Sequence, residues 1–324
     1  MTLHCNFSTS NRCNVNGINN GVIIIPVILG ISSVVLITII IWKTCKMKQE
    51  RDRAPVILLQ DNASAKELSD FLDLLKFHTK ICNHESIVKL LGCQTERMPL
   101  YLFLEFVSGG NLLHSLWKFR ETEARDGERE FNLTERSVYS IAKQVACGLE
   151  YLTTKHHLIH GDVAARNVLI HNDLTVKLTG LSLAFDVYKT RTLSSHKAAQ
   201  VPIKWLAPER IMKLPITEKS DTWSFGILVY EIITLGSPPY PEFQPLEVFP
   251  KLQRNYRMPK PSNSSSALYD LMKHCWQWRA YDRPNWSELI NKLSSLMNAV
   301  DGVELLQVSD SLDLDQYKQA AGVF

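Results

Sequence analysis

The chain has 324 residues, of which 45% are hydrophobic and 21% charged, and 36 basic side chains stand against 33 acidic ones. This composition excludes a disordered chain, a disulfide-rich miniprotein and a collagen-like fibre, and the length allows one large domain or two modest ones. The formal net charge of +3 is small and spread out, so we expect no nucleic-acid partner, which usually requires a clustered basic face.

The first distinctive segment is an uncharged stretch, Val22 to Trp42, that consists mainly of Ile, Val and Leu. About 20 residues of this kind cross the hydrocarbon core of a bilayer as a helix. Residues 21–42 are therefore predicted to form a transmembrane helix. The alternatives are a buried core helix and the apolar part of a signal peptide, but the stretch is longer than a typical signal core and lacks a small-residue cleavage pattern.

The charges on the two sides of this span predict its orientation. Residues 43–54 hold three lysines and two arginines, whereas the preceding tail has Arg12 as its one basic residue. Because cytosolic flanks carry the excess of Lys and Arg, residues 1–20 are expected to be extracellular and residues 43–54 to form a basic juxtamembrane segment in the cytosol. Asn6 begins an N-glycosylation triplet, and Cys45 is either a palmitoylation site or an idle thiol.

After residue 54 the pattern changes to short strands and amphipathic helices. Pro55 to Leu59 reads as an apolar strand. Ser64 to Lys80 reads as an amphipathic helix, and the spacing of Ser64 and Glu67 predicts a capping box at its start. Further elements are expected in this order: strands at Ile87–Leu91 and Leu100–Val107, a short helix at Leu112–Phe119, and a long helix from Thr134 to about Thr153.

The most informative stretch is Ile-His-Gly-Asp-Val-Ala-Ala-Arg-Asn at residues 159–167. Its fixed polar positions in an apolar frame resemble the catalytic loop of protein tyrosine kinases. Later segments resemble further motifs of that family in the same order: Pro202–Glu209, Asp221–Gly226, Ser237–Pro241 and Cys275–Pro284.

This resemblance covers about residues 54 to 297 and implies the fold. An α+β, two-lobed protein-kinase-like domain is expected at residues 55–297, with a truncated amino lobe at 55–107 and a mainly helical carboxyl lobe at 111–297. Residues 298–324 are expected to form an acidic tail.

The resemblance also implies a site for ATP, Mg²⁺ and a tyrosine hydroxyl. Asp162 takes the position that accepts the hydroxyl proton, Arg166 lies in the same loop, and Asn167 takes the position of a magnesium ligand. The expected adenine pocket consists of Leu104 as gatekeeper, Glu105 and Val107 as hinge, and Leu169 as floor.

Several positions depart from the family pattern. No glycine lies between Lys43 and Leu91, so the glycine-rich phosphate loop is missing. Leu59 stands where the ATP-binding lysine is expected, and Lys66 is the nearest basic residue downstream. Gly180 replaces the aspartate that binds magnesium, and Gly161 replaces the arginine that pairs with a phosphorylated activation segment.

Other matches are structural or regulatory. Glu209 is expected to form a buried ion pair with Arg283, and Asp221 to accept N–H bonds from the loop at His160. Tyr188 and Tyr317 are candidate phosphorylation sites. Tyr317 follows a run of acidic residues, and the alternative is that it belongs to a frayed, solvated tail.

The missing groups predict a membrane-anchored pseudokinase that signals by binding protein partners, with ATP and Mg²⁺ binding weak or absent. Three alternatives remain open. The chain is an active tyrosine kinase with non-standard ligands, or an incomplete gene model of one, or a structural membrane anchor without a signalling role.

Overall fold

The computed structural model describes residues 55–121, 133–190, 201–308 and 313–321. The predicted extracellular tail, transmembrane helix and juxtamembrane segment, with Asn6 and Cys45, lie outside these residues. Among the helices in the described ranges, none is long and apolar enough to cross a membrane.

The amino lobe contains an antiparallel sheet in the order β1-β3-β2. Its strands are β1 (Val56–Leu59), β2 (Leu90–Gln94) and β3 (Leu100–Leu104). Helix α1 (Ala65–Ile81) covers the sheet, and its Phe71 packs with the apolar side chains of the strands.

The predicted capping box at the start of α1 is confirmed. The Ser64 N–H donates to the Glu67 carboxylate at 2.7 Å, and the Glu67 N–H donates to the Ser64 hydroxyl at 3.3 Å. These two bonds satisfy N–H groups that have no partner within the helix, so the helix begins here.

Two strand boundaries differ from the prediction. Ile87 lies before β2 and forms a single parallel bridge with Leu178. β3 ends at Leu104 and does not continue to Val107. The Glu105 N–H still donates to the Lys89 carbonyl at 2.9 Å, but beyond that bond the chain leaves the sheet and passes towards the carboxyl lobe.

The carboxyl lobe is mainly helical. Its elements are α2 (Leu112–Glu121), α3 (Glu135–Glu150), the hairpin β4 (Val168–Ile170) and β5 (Val176–Leu178), α4 (Ser182–Thr190), α5 (Pro208–Ile211), α6 (Glu218–Ile233), α7 (Pro245–Gln253), α8 (Ser266–Cys275) and α9 (Trp286–Ala299). Thr134 caps α3 as predicted. A π-helical turn at Tyr151–Lys155 prolongs that helix.

Helix α6 forms the centre of this lobe. Every residue from Ser220 to Ile233 is buried, which is typical of a helix surrounded by packed neighbours on all sides. Two buried carboxylates, Asp221 and Glu231, are also on this helix. Because a buried carboxylate needs hydrogen-bond partners, both are bonded to the loop at residues 160–165.

The residues after position 297 pack on the carboxyl lobe at several points. α9 continues to Ala299, and the Leu306 N–H donates to the Leu133 carbonyl at 2.9 Å. A further helix, α10 (Leu314–Ala321), buries Tyr317 to 2% exposure. The expectation of a frayed, solvated tail is therefore wrong for these residues, because their apolar side chains pack on the carboxyl lobe.

Candidate active site

The loop at residues 160–165 is positioned by Asp221, as predicted. The backbone N–H groups of His160 and Gly161 donate to the Asp221 carboxylate at 2.7 and 2.8 Å. Burial raises the pKa of Asp221, while the two N–H bonds and the nearby Arg210 act in the opposite direction. The His160 ring is fully buried and lies 2.8 Å from the Thr179 carbonyl, which ties the loop to the residue directly after β5.

The three residues assigned to catalysis lie together. The Asn167 amide donates to the Asp162 carbonyl at 2.8 Å and to its carboxylate at 2.7 Å. Arg166 bonds the other carboxylate oxygen, and its guanidinium lies 4.7 Å from the centre of the Trp205 ring. Both carboxylate oxygens of Asp162 are therefore engaged within the loop.

Gly180 occupies a position that has no room for a side chain. Its φ is +75°, a conformation that glycine adopts readily and other residues rarely do. A Cβ atom at this position would lie 2.5 Å from Cγ of Asn167. The aspartate that the family pattern places here does not fit against the present position of Asn167.

The residues at this site do not suit a magnesium ion. Mg²⁺ requires oxygen ligands in near-octahedral geometry and is usually held by carboxylates and phosphates. Glycine supplies no carboxylate at position 180. The Asn167 NH₂ group donates to Asp162, and its amide oxygen is a neutral and therefore weaker ligand than a carboxylate. Within the described parts of the chain, no group of three or more His, Cys, Asp or Glu side chains is arranged to hold a metal ion.

Gly161 is constrained in the same way, by a helix that the sequence did not predict. Its φ is +77°, and a Cβ atom here would lie 1.9 Å from Cδ2 of Leu183. Leu183 belongs to α4, which begins directly after Leu181. An arginine at position 161 therefore requires the Leu183 side chain of α4 to shift, in addition to a positive φ at a non-glycine residue.

Helix α4 also packs on α1 of the amino lobe. Phe77 contacts the rings of Phe185 and Tyr188 edge to face, with centroid distances of 5.5 and 5.4 Å. Lys189 forms an ion pair with Asp70. The candidate phosphorylation site Tyr188 is thus half-buried between the lobes. The three-residue spacing of Phe185 and Tyr188 was the one sequence signal for this helix.

Leu59 takes part in apolar packing at the position expected for the ATP lysine. It pairs with Leu100 at the end of β1 and packs on the cluster that contains Phe71. Lys66 lies exposed in the first turn of α1. Neither residue places a cation in the sheet where the phosphates of a nucleotide need one.

The predicted adenine residues lie on both sides of the junction between the lobes. Leu104 ends β3, Val107 is buried, and Leu169 lies in β4 opposite Lys177. Lys177 also forms an ion pair with Glu105 at 3.2 Å. This ion pair between the hinge and the hairpin was not expected from the sequence, because residues 105 and 177 are far apart in the chain and no sequence motif links them.

The predicted ion pair between Glu209 and Arg283 is present. Two parallel bonds of 2.7 and 2.8 Å join the guanidinium to the carboxylate, and the Ser220 hydroxyl donates to the same carboxylate at 2.8 Å. Burial acts to raise the pKa of Glu209, but the hydrogen bonds and charge of Arg283 outweigh it and lower that pKa. This is a scaffold contact and does not reach Asp162.

The carboxyl-terminal candidate, Tyr317, lies in a different environment from the one predicted. Its hydroxyl donates to Glu231 at 2.5 Å, and its ring packs edge to face on Trp205 and Trp117. A tyrosine in this position is inaccessible to a modifying enzyme while α10 stays docked.

The similarity to known proteins agrees with this geometry. Residues 32–293 match the family model described as protein tyrosine and serine/threonine kinase. The chain is 44% identical over 265 residues to the tyrosine-protein kinase STYK1 of Homo sapiens and 42% identical to that of Mus musculus, and each alignment covers 82% of this chain and 62% of the relative. It is also 35% identical over 273 residues to the fibroblast growth factor receptor 1 of Pleurodeles waltl, covering 82% of this chain and 33% of the receptor.

The chain therefore matches less than two thirds of the length of these curated relatives. The resemblance to tyrosine kinases inferred from the motifs is confirmed, including its similarity to STYK1, that is, serine/threonine/tyrosine kinase 1.

Proposed function

The chain belongs to the protein tyrosine and serine/threonine kinase family, and we propose that its kinase-like domain signals by binding protein partners and not by phosphoryl transfer. One observation carries the proposal. Gly180 lies where the family places a magnesium-binding aspartate, and Asn167 fills the space that such a side chain needs.

Electrostatics supports the same conclusion. Phosphoryl transfer depends almost entirely on positioning and on neutralising phosphate charge, and one well-placed electrostatic contact is worth about 2.7 to 4 kcal/mol. At position 59 an apolar side chain replaces a cation, and at position 180 a hydrogen atom replaces an anion. Loss of both groups, together with the glycine-rich loop, is expected to leave negligible catalysis.

The location of the domain is part of the proposal. The uncharged residues 21–42 and the basic residues 43–54 support a single membrane span with the kinase-like domain in the cytosol. Protein partners near the membrane would then bind the exposed surface of the domain.

A second candidate is an active tyrosine kinase with unusual ligands. The observation that favours it is the contact between Asp162 and Asn167, because both residues match the family's catalytic loop and lie within hydrogen-bond distance of each other. The two candidates make opposite predictions for the same experiment.

The test uses the full chain in detergent with ATP, Mg²⁺ and tyrosine-containing peptides, alongside the variant Asp162→Asn. The pseudokinase proposal predicts the same background phosphate incorporation for both proteins. It also predicts that the partners cross-linked to the full chain in cells do not change with Asp162→Asn. Tyrosine phosphorylation that requires Mg²⁺ and disappears in Asp162→Asn would establish the second candidate.

A further inference from the structure

Helix α10 lies in a groove of the carboxyl lobe that two indole rings help to form. The Tyr317 ring meets Trp117 of α2 at a centroid distance of 5.3 Å and Trp205 at 5.6 Å. Ala320 and Ala321 follow Tyr317 at the spacing of about one helical turn, so they lie on the same face of the helix, and both are also buried. One face of the helix therefore consists of a tyrosine and two small residues.

A buried carboxylate lies at the base of this groove. One oxygen of Glu231 accepts the Tyr317 hydroxyl at 2.5 Å, and the other accepts the Ala165 N–H at 2.9 Å. Ala165 belongs to the loop that holds Asp162. A single side chain of α6 thus connects the tail helix to the catalytic loop.

α10 also makes a polar contact with the lobe. The Gln316 amide donates to the Pro241 carbonyl at 2.8 Å, whereas Asp315 and Lys318 are exposed. α10 has eight residues, and isolated helices shorter than about 12 residues are marginal in water. The helix therefore depends on its docked face, and local release requires the loss of only that face.

We propose that Tyr317 is a phosphorylation site controlled by the docking of α10. The helix has to leave the groove before a separate tyrosine kinase can modify the hydroxyl. In that step the Tyr317 oxygen attacks the γ-phosphorus of ATP, the bond from that phosphorus to the ADP oxygen breaks, and the phenolic proton passes to the base of the modifying enzyme.

Phosphorylated Tyr317 cannot return to the same position. A phosphate carries a charge of about −1.5 to −2, and in the docked position it would lie against the carboxylate of Glu231. The nearby cation, Arg166, is bonded to Asp162 through one nitrogen and also faces Glu231, so its single positive charge is shared between two carboxylates and does not balance a phosphate as well. Modification therefore keeps the helix out and exposes Trp117 and Trp205. This inference rests on the contacts of α10 and does not depend on whether the domain transfers phosphate.

The experiment compares Tyr317 in the full chain with Tyr317 in a synthetic peptide of residues 309–324. Both are treated with a purified tyrosine kinase, ATP and Mg²⁺, and initial rates of Tyr317 phosphorylation are measured by mass spectrometry. The peptide rate divided by the chain rate is the protection factor. We expect it to be about tenfold or more for the unmodified sequence, since access requires local unfolding.

Two variants, each made in chain and peptide, test the mechanism. Ala320→Glu places a charge on the docked face and is expected to bring the protection factor close to one, whereas Lys318→Ala, on the exposed face, should keep it. Tyr240 of the carboxyl lobe is 1% exposed, and the absence of phosphate on it in every full-chain protein shows that the lobe remains folded.

Hydrogen exchange completes the test. After phosphorylation of Tyr317, the amides of residues 314–321 should exchange about tenfold faster or more. A protection factor near one in the unmodified chain, a high one in Ala320→Glu, or unchanged exchange after phosphorylation would each overturn the proposal.

Discussion

Two regions of this domain differ in the residues at their polar positions. One is the phosphate side, which contains Leu59 and Gly180 and corresponds to the place where a kinase binds ATP phosphates, and the other is the helical scaffold of the carboxyl lobe. On the phosphate side, Leu59 and Gly180 stand where a kinase has a cation and an anion, and apolar or backbone packing fills the space. In the scaffold, Asp221 and Arg283 have full sets of hydrogen bonds. The contacts that maintain a kinase fold are therefore separable from those that hold a nucleotide.

The largest effect is expected from the scaffold. Arg283→Met leaves Glu209, whose side chain is 12% exposed, without its cation, and removing one partner of a buried ion pair typically costs about 3 to 5 kcal/mol. The free energy of unfolding, measured with denaturant on the full chain, should fall by about that amount. Arg279→Met, at an exposed arginine, is the matched control. Equal effects of the two substitutions would show that the ion pair is not a main support of the fold.

A smaller effect is expected on the phosphate side. Gly180→Asp restores the family's residue, but it forces a positive φ on aspartate and a Cβ atom to 2.5 Å from Asn167. Strain of this kind costs about 1 to 3 kcal/mol, so the variant should be less stable.

The matched control for this change is Gly92→Asp, because a Cβ atom at Gly92 meets nothing within 4 Å. We expect its free energy of unfolding to stay within about 0.5 kcal/mol of that of the unchanged chain. A stable Gly180→Asp protein that binds ATP in a Mg²⁺-dependent manner would mean that this single position, and not the whole phosphate side, accounts for the loss.

The smallest effect concerns a buried cation of the scaffold. Lys204 donates to the Tyr240 carbonyl, and burial lowers its pKa to about 8. Between pH 8 and 10 the unfolded chain binds more protons at this position than the folded chain, so stability should rise with pH. Between pH 8 and 10 the free energy of unfolding of the unchanged chain should increase by on the order of 1 kcal/mol more than that of the Lys204→Met variant. Parallel pH profiles for the two proteins would contradict the pKa shift.

What could be predicted from the sequence depends on the range of the interactions involved. The capping box at Ser64 and the cap at Thr134 are local and were correct. The pair of Glu209 and Arg283 is distant in sequence, but it followed from the resemblance to a family. In each case a motif within the sequence carried the information.

The features that were missed depend on contacts without a local signal. Tyr317 follows acidic residues and reads as part of a solvated tail, yet it is buried by Trp117 and Trp205, about 200 and 112 positions away in the chain. Helix α4 was missed for a similar reason, because its stability depends on Phe77 of the other lobe.

The central claim is that the phosphate side of this domain cannot hold ATP with magnesium. The most direct measurement is the affinity of the full chain for ATP, by calorimetry, with Mg²⁺ and with a chelator. The account predicts that Mg²⁺ leaves ATP affinity unchanged, whether that affinity is weak or undetectable. A Mg²⁺-dependent increase of about tenfold or more that is lost in Asn167→Ala would contradict it.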